Sequence, residues 1–103
     1  MKKEIWLSKY PPDIPHEIVL NDATNLVTLC ANACGKFARR KAFGNYSTYL
    51  TFTDVDILSR AFAVYLQQDL NLRPGDKVAI MMPNTLQYPI AMLGILRAGC
   101  IVV

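Results

Sequence analysis

The sequence is poor in histidine and in charged residues, and each shortage excludes a class of function. One histidine among 103 residues leaves no obvious Ser-His-Asp or Cys-His nucleophilic arrangement. The charged fraction is 18% and the net charge is +3, which falls short of the clustered lysines and arginines of a nucleic-acid surface. We therefore expect no nucleic-acid partner.

Long apolar runs are also missing. Beyond the first residues the longest one spans residues 89–96, which is far too short to cross a bilayer. The first seven residues begin like a signal peptide, but Glu4 interrupts the basic region and Pro11 and Pro12 follow before an apolar core forms. Three cysteines are an odd number at no framework spacing, as expected in a reducing compartment. These features predict a cytoplasmic protein.

Glycine is absent from the one turn that could hold a phosphate. In α/β proteins a strand that leads into a helix N-terminus often binds phosphates. Here that turn is Met82-Pro83-Asn84-Thr85, and it matches neither the Rossmann fingerprint nor the P-loop. The residues favour a plain helix cap over a phosphate site.

The cysteines and the histidine do not combine into a metal site. Cys30 and Cys34 are four residues apart, but a metal site needs three or four ligands, and His16 lies in a proline-rich segment far along the chain. Unpaired cysteine usually behaves as a small apolar residue, so we interpret both as buried free thiols, and Cys100 likewise.

Neighbouring charges also have structural interpretations. Asp54 and Asp56 are two residues apart on a predicted helix and do not share a face, so we interpret them as charges favoured near a helix N-terminus. The only compact basic run, Arg39-Arg40-Lys41, follows a helical pattern, where cations complement the C-terminal end of the dipole. We therefore predict no catalytic, cofactor-binding or metal-binding residue in this chain.

Residues 1–20 are predicted to form an extended N-terminal arm. Pro11, Pro12 and Pro15 exclude a helix, and Trp6 and Tyr10 need a surface on which to pack. That surface is either the arm's own domain or a partner subunit.

Residues 21–103 are predicted to form an incomplete α/β lobe that starts with a helix and a hairpin. The first helix begins near Thr24 or Asn25, which are good caps. Its apolar face, spaced by three and four residues, comprises Leu26, Leu29, Cys30, Ala33, Phe37 and Ala38. Residues 41–44 and 48–52 then form a hairpin around the polar turn 45–47.

The second helix is predicted to start at Thr53, with Asp56 completing a near capping box. Its buried stripe comprises Val55, Leu58, Ala61, Phe62, Tyr65 and Leu66. Its solvent face comprises Asp56, Ser59, Arg60, Gln67 and Gln68. It ends by Asn71, because Arg73-Pro74-Gly75-Asp76 is a turn.

The last part of the lobe is predicted to be a parallel βαβ unit. A strand over residues 77–82 precedes a helix capped by Asn84, with Gln87 at its third position. Pro89 either removes an early hydrogen bond of this helix or makes the helix start later. A second apolar run follows Gly99. The fold class is therefore α/β, with three main helices, a short hairpin and a right-handed parallel crossover.

Two segments resemble the N-terminal region of adenylate-forming enzymes, which include acyl-CoA synthetases, luciferases and peptide adenylation domains. The first runs from Tyr49 to Thr53 and on to Ala63. The second runs from Leu72 through Gly75-Asp76-Lys77-Val78-Ala79 and Pro83-Asn84 to Ala98-Gly99. The opening residues, with 63–68 and 86–89, are similar to bacterial long-chain fatty acid–CoA ligases.

This resemblance implies a parent enzyme that uses ATP, Mg²⁺ and coenzyme A to convert a fatty acid to an acyl-adenylate and then to an acyl-CoA. The family's catalytic motifs lie beyond Val103, so the chain is expected to be an inactive first lobe whose partner is the remainder of the ligase. Self-association through the lobe face or the arm, and peripheral attachment at the inner membrane, are further expectations. The alternative is a free-standing, non-catalytic binding module derived from the same family.

Overall fold

The computed structural model describes residues 4–20 and 25–103, which form three helices, a hairpin and a short parallel sheet. In chain order, after a 3₁₀ turn at Leu7–Lys9, the elements are α1 (Leu26–Lys36), β1 (Lys41–Asn45), β2 (Thr48–Thr51), α2 (Phe52–Gln68), β3 (Lys77–Val78), α3 (Gln87–Arg97) and β4 (Ile101–Val102). The predicted α/β class, with its three main helices, hairpin and parallel βαβ unit, is confirmed.

The first helix starts as predicted but presents a different face. The Asn25 side chain accepts a hydrogen bond from the Thr28 amide, and the alternative cap Thr24 lies outside the described residues. Cys34 is the buried residue of α1, whereas Leu26 is 58% and Leu29 49% exposed. The predicted face was wrong at these two leucines because apolar residues cover a wide arc of α1, and only the position of α2 selects which edge is buried.

The hairpin is confirmed, with a two-residue turn at Tyr46-Ser47. Both residues have positive φ, 47° and 62°, as the favoured tight hairpin turns require. Gly44 faces Tyr49 across the ladder, and a Cβ at Gly44 would lie 2.7 Å from the Tyr49 ring. The register shifts between Lys41 and Phe43.

The second helix begins earlier than predicted. Thr51, not Thr53, is its N-cap, and a full capping box joins Thr51 to Asp54. The pattern Thr-x-x-Asp occurs twice, two residues apart, and both copies satisfy the capping rule. The hairpin decides between them, because β2 ends at Thr51 and releases its side chain for the cap.

The buried stripe of α2 also differs from the prediction. Its buried residues are Val55, Ser59, Ala63 and Leu66. Val55 and Leu66 were predicted, but Leu58, Ala61 and Tyr65 are exposed. Ser59 was assigned to solvent and is 0% exposed. The physical reason is the close approach of α3, which favours small side chains at the contact.

The core lies between helices α2 and α3, and the residues that connect α3 to β4 complete it. The buried cluster comprises Ala63, Leu66, Ile95, Ala98 and Cys100, with Phe62, Leu72, Val78, Ile80 and Val102 packed against it. At the crossing, a Cβ on Gly94 would lie 2.6 Å from Phe62 Cδ1 and 3.0 Å from the Ser59 carbonyl oxygen. Only glycine therefore fits this approach of the two backbones.

The parallel sheet is present but shorter than predicted. Lys77 pairs with Ile101 and Val78 with Val102, and the pairing continues as a hydrogen bond from the Ile80 amide to the Val103 carbonyl, 2.8 Å. Helix α3 starts at Gln87, and its N-cap residue is Leu86, whose side chain makes no capping hydrogen bond. The prediction that Asn84 caps this helix is therefore wrong. The later start places Pro89 in the first turn, where a missing N–H removes no helical hydrogen bond.

The described arm residues do not pack into the core. Trp6 is 55% exposed, and Ile18, Val19 and Leu20 are nearly fully exposed. Tyr10 instead contacts His16 edge-on within the arm, with ring centroids 5.6 Å apart. The aromatic side chains of the arm therefore add nothing to the buried core of the described lobe.

Candidate functional site

The turn that carries the strongest sequence motif is a structural junction. The Arg73 amide donates to Asp76 Oδ2 at 2.7 Å, and the Asp76 amide returns a bond to the Arg73 carbonyl. Gly75 has φ +90°, a conformation that side chains disfavour. Its amide donates to the Gly99 carbonyl, and the Ile101 amide donates to the Asp76 carbonyl. The motif therefore joins the start of β3 to the start of β4, and its carboxylate is engaged within the turn.

The candidate phosphate turn uses its polar groups internally. The Thr85 amide donates to the Pro83 carbonyl at 2.8 Å, and the Thr85 hydroxyl approaches the same oxygen at 3.4 Å. The Asn84 carbonyl accepts from Asn45 Nδ2 at 3.4 Å. The Thr85 amide is therefore engaged within the turn, and the Asn84 carbonyl faces the hairpin. The predicted helix cap at Asn84 is wrong, because α3 begins at Gln87.

An open, largely apolar groove lies between the hairpin and the start of α3. Its volume is about 340 Å³, and its walls include Phe43, Tyr88, Pro89 and Met92. Its polar lining consists of neutral side chains, Asn45, Asn84 and Thr85. The groove can bind an apolar surface, but its lining contains no carboxylate, histidine, cysteine or lysine.

The three thiols differ in their burial. Cys34 and Cys100 are buried and Cys30 is half-buried, and all three are free. Burial, with a smaller contribution from Asp56, raises the pKa of the Cys34 thiol. The Cys100 thiol points at the Arg73 carbonyl, 3.7 Å away. Within residues 4–20 and 25–103, no three His, Cys, Asp or Glu side chains are grouped closely enough to hold a metal ion.

The two carboxylates predicted to favour a helix N-terminus have different roles. Asp54 does so: its carboxylate accepts from the Thr51 amide at 2.8 Å and from the Thr51 hydroxyl, which lowers the pKa of Asp54. Asp56 instead joins two helices, since Arg97 Nη2 lies 2.6 Å and Arg60 Nη2 3.2 Å from its oxygens. Sequence reasoning missed the contact with Arg97 because the two residues are 41 positions apart.

Comparison with protein families identifies the lobe. The model of the AMP-binding enzyme family matches residues 30–103. The chain belongs to this family. The matched AMP-binding segment includes α2, the hairpin and the whole βαβ unit, so the resemblance inferred from the motifs is confirmed.

Similar proteins within the AMP-binding family agree. The chain is 52% identical to a long-chain-fatty-acid–CoA ligase of Salmonella typhimurium strain LT2 over 101 residues, 98% of this chain and 18% of that protein. It is 40% identical to a protein of the same name from Bacillus subtilis strain 168, over 95% of this chain and 17% of that one. This AMP-binding chain thus spans less than a fifth of the length of these relatives.

A solved structure has the same fold. The fatty acid AMP ligase of Legionella pneumophila superposes with a TM-score of 0.68 and 30% identity, over 76% of this chain and 14% of that one. The N-terminal subdomain of Klebsiella oxytoca NpsA superposes with a TM-score of 0.71 at 23% identity, over 75% of this chain and 20% of that one, which supports the fold alone. The AMP-binding lobe therefore has the architecture of the N-terminal part of adenylate-forming enzymes.

Proposed function

We propose that this chain is the N-terminal lobe of a long-chain fatty acid–CoA ligase, which converts a fatty acid and ATP to an acyl-adenylate and then transfers the acyl group to coenzyme A. The observation that carries the proposal is 52% identity over 98% of the chain to a protein of that name. Mg²⁺ would accompany ATP, as the resemblance implies.

Within the ligase this lobe acts as a scaffold and is inactive alone. Its carboxylates that take part in described contacts already have structural partners: Asp54 in a cap, Asp56 in an ion pair and Asp76 in a turn. Residues 1–20 are the arm and residues 21–103 an incomplete lobe, which the remainder of the ligase chain completes. ATP, coenzyme A and fatty acid are bound by that remainder.

A hybrid ligase tests the proposal. The aligned segment of the Salmonella typhimurium ligase is replaced by this chain, and oleoyl-CoA formation from oleate, ATP and coenzyme A is measured. We expect activity within a few-fold of the unmodified ligase, and none from the 103-residue chain or from a ligase lacking the segment. A hybrid that folds but makes no acyl-CoA would contradict the proposal.

The alternative, a free-standing binding module, is favoured by the open apolar groove beside Phe43 and Met92. Calorimetric titration of the 103-residue chain with oleate separates the two functions. We expect no saturable binding if the lobe is a scaffold. Stoichiometric binding that Met92→Asp abolishes and Gln67→Asp leaves intact would support the alternative.

The proposed location of the ligase is the cytoplasm, with peripheral attachment at the inner membrane. None of the helices in the described ranges combines the length and the apolar character needed to cross a bilayer. Attachment would then depend on the surface of the protein, and self-association would depend on the exposed lobe face or the arm.

A further inference from the structure

The residues after α1 carry a local excess of positive charge. Lys36, Arg39, Arg40 and Lys41 contribute +4 within six positions, so the rest of the chain, whose total is +3, has a net charge of −1. Within the described residues the carboxylate ion pairs involve only Arg60 and Arg97. This cationic segment, residues 36–41, is therefore not neutralised by the described part of the lobe.

Aromatic rings hold three of these cations. Lys36 Nζ and Arg40 Cζ each lie 5.2 Å from the centre of the Phe37 ring, and Lys41 Nζ lies 3.9 Å from the centre of the Tyr49 ring. Next to them, Tyr46 at the hairpin tip is 96% exposed. Tyrosine with lysine and arginine is the combination that favours the boundary between water and lipid.

The exposed side of α1 continues this surface with apolar groups. Leu29 and Lys36 are seven residues apart and so lie on the same side of the helix, and Leu26 lies one turn from Leu29. Both leucines are exposed, although the sequence pattern predicts them to be buried. Leucines beside cations on one helix side form the pattern of an interfacial membrane contact.

We propose that Leu26 and Leu29 together with the cationic segment form a docking surface for membranes that contain anionic lipids. The proposal rests on the ligase function, since long-chain fatty acids partition into bilayers and a docked enzyme would meet its substrate there. A nucleic acid fits less well. Nucleotides offer the leucines no apolar surface, and for base stacking only the exposed Tyr46 ring is free of the protein's own cations, which lie over Phe37 and Tyr49.

Vesicle flotation of the hybrid ligase tests the proposal. The vesicles contain phosphatidylcholine with about 30% phosphatidylglycerol, or phosphatidylcholine alone. Each cation near an anionic surface contributes about fivefold, so the variant Arg39→Gln/Arg40→Gln/Lys41→Gln should lower partitioning about 100-fold on anionic vesicles. Leu29→Ser should lower it several-fold at any salt concentration.

The matched control removes three exposed cations elsewhere, Lys9→Gln/Arg73→Gln/Lys77→Gln, and should change partitioning less than about fivefold. Equal losses in the two triple variants, or no loss in the first, would overturn the proposal. The proposal would also be overturned if the Arg39→Gln/Arg40→Gln/Lys41→Gln variant lost binding to a single-stranded oligonucleotide but kept binding to anionic vesicles. A hybrid that binds vesicles but makes no acyl-CoA contradicts the ligase function alone. An active hybrid that ignores anionic vesicles contradicts only the docking surface.

Discussion

At the residue scale, Gly94 and Gly35 show opposite reasons for a helical glycine. A Cβ on Gly94 would meet Phe62 and the Ser59 carbonyl, whereas nothing lies within 4 Å of one on Gly35. We expect Gly94→Ala to lower the free energy of unfolding by about 1–3 kcal/mol through overpacking. Gly35→Ala should raise it by about 0.4–1 kcal/mol. Urea denaturation of both variants measures this, and equal effects would contradict the proposed helix contact.

Also at the residue scale, the Asp56–Arg97 pair differs from Asp56–Arg60. The Arg97 side chain is 14% exposed and that of Arg60 is 64% exposed. We expect Asp56→Ala to lower the free energy of unfolding by about 1–3 kcal/mol, because it leaves the Arg97 guanidinium unpaired in a sheltered position. The control Arg60→Ala should cost less than about 1 kcal/mol, as exposed pairs do. Comparable losses in urea denaturation would show that the exposed contact matters equally.

At the scale of elements, the capping box of α2 predicts a pH dependence. Hydrogen bonds from Thr51 lower the pKa of Asp54 below its ordinary 3.8, so the folded state prefers the carboxylate. This stability is present above the unfolded pKa and is lost as pH falls through the lower, folded one. Asp54→Asn should therefore destabilise the chain at pH 7, and the difference from the parent should shrink below pH 4.

The position of the cap can be tested in the same titration series. Thr51→Ala should lower the free energy of unfolding by about 1 kcal/mol. It should also weaken the pH dependence that Asp54 provides, because the hydroxyl bond to Asp54 is lost while the bond from the Thr51 amide remains. Thr53→Ala removes a bond to the Ala38 carbonyl but leaves the cap, so the pH dependence should persist. If Thr53→Ala abolished it instead, the helix would begin where the sequence pattern placed it.

Elements also differ in how far sequence predicts them. The hairpin and the Gly75 turn depend on residues close in sequence, and both appear where the local chemistry places them. The sequence does not predict the buried faces of α1 and α2, because several rotations of each helix would bury a similar number of apolar groups. Ser59 is buried because Gly94 brings another helix close, and nothing near Ser59 in sequence reports this.

At the scale of the whole molecule, the described residues leave much apolar surface uncovered. The radius of gyration is 17.6 Å, whereas a compact domain of this length has about 13 Å. Met81 is almost fully exposed and Ile101 half exposed beside the two-stranded sheet. We expect the 103-residue chain to self-associate, with a sedimentation coefficient that rises with concentration, since unpaired edges and apolar patches attract copies.

Two variants test which surface of the chain mediates self-association. Met81→Asp should weaken it, while Gln67→Asp on the exposed side of α2 should not. A clean monomer at high concentration would contradict the prediction.

Short-range chemistry in the sequence was enough to predict the α/β class, the order of the elements and the hairpin, and the resemblance of two motifs to known enzymes predicted the family. Turn glycines and apolar runs act between residues a few positions apart, so the sequence alone indicates them. Tertiary packing decided which helix faces are buried, which threonine caps α2, and the partnership of Asp56 with Arg97. Each of these depends on which distant segment comes near, and periodicity carries no information about that choice.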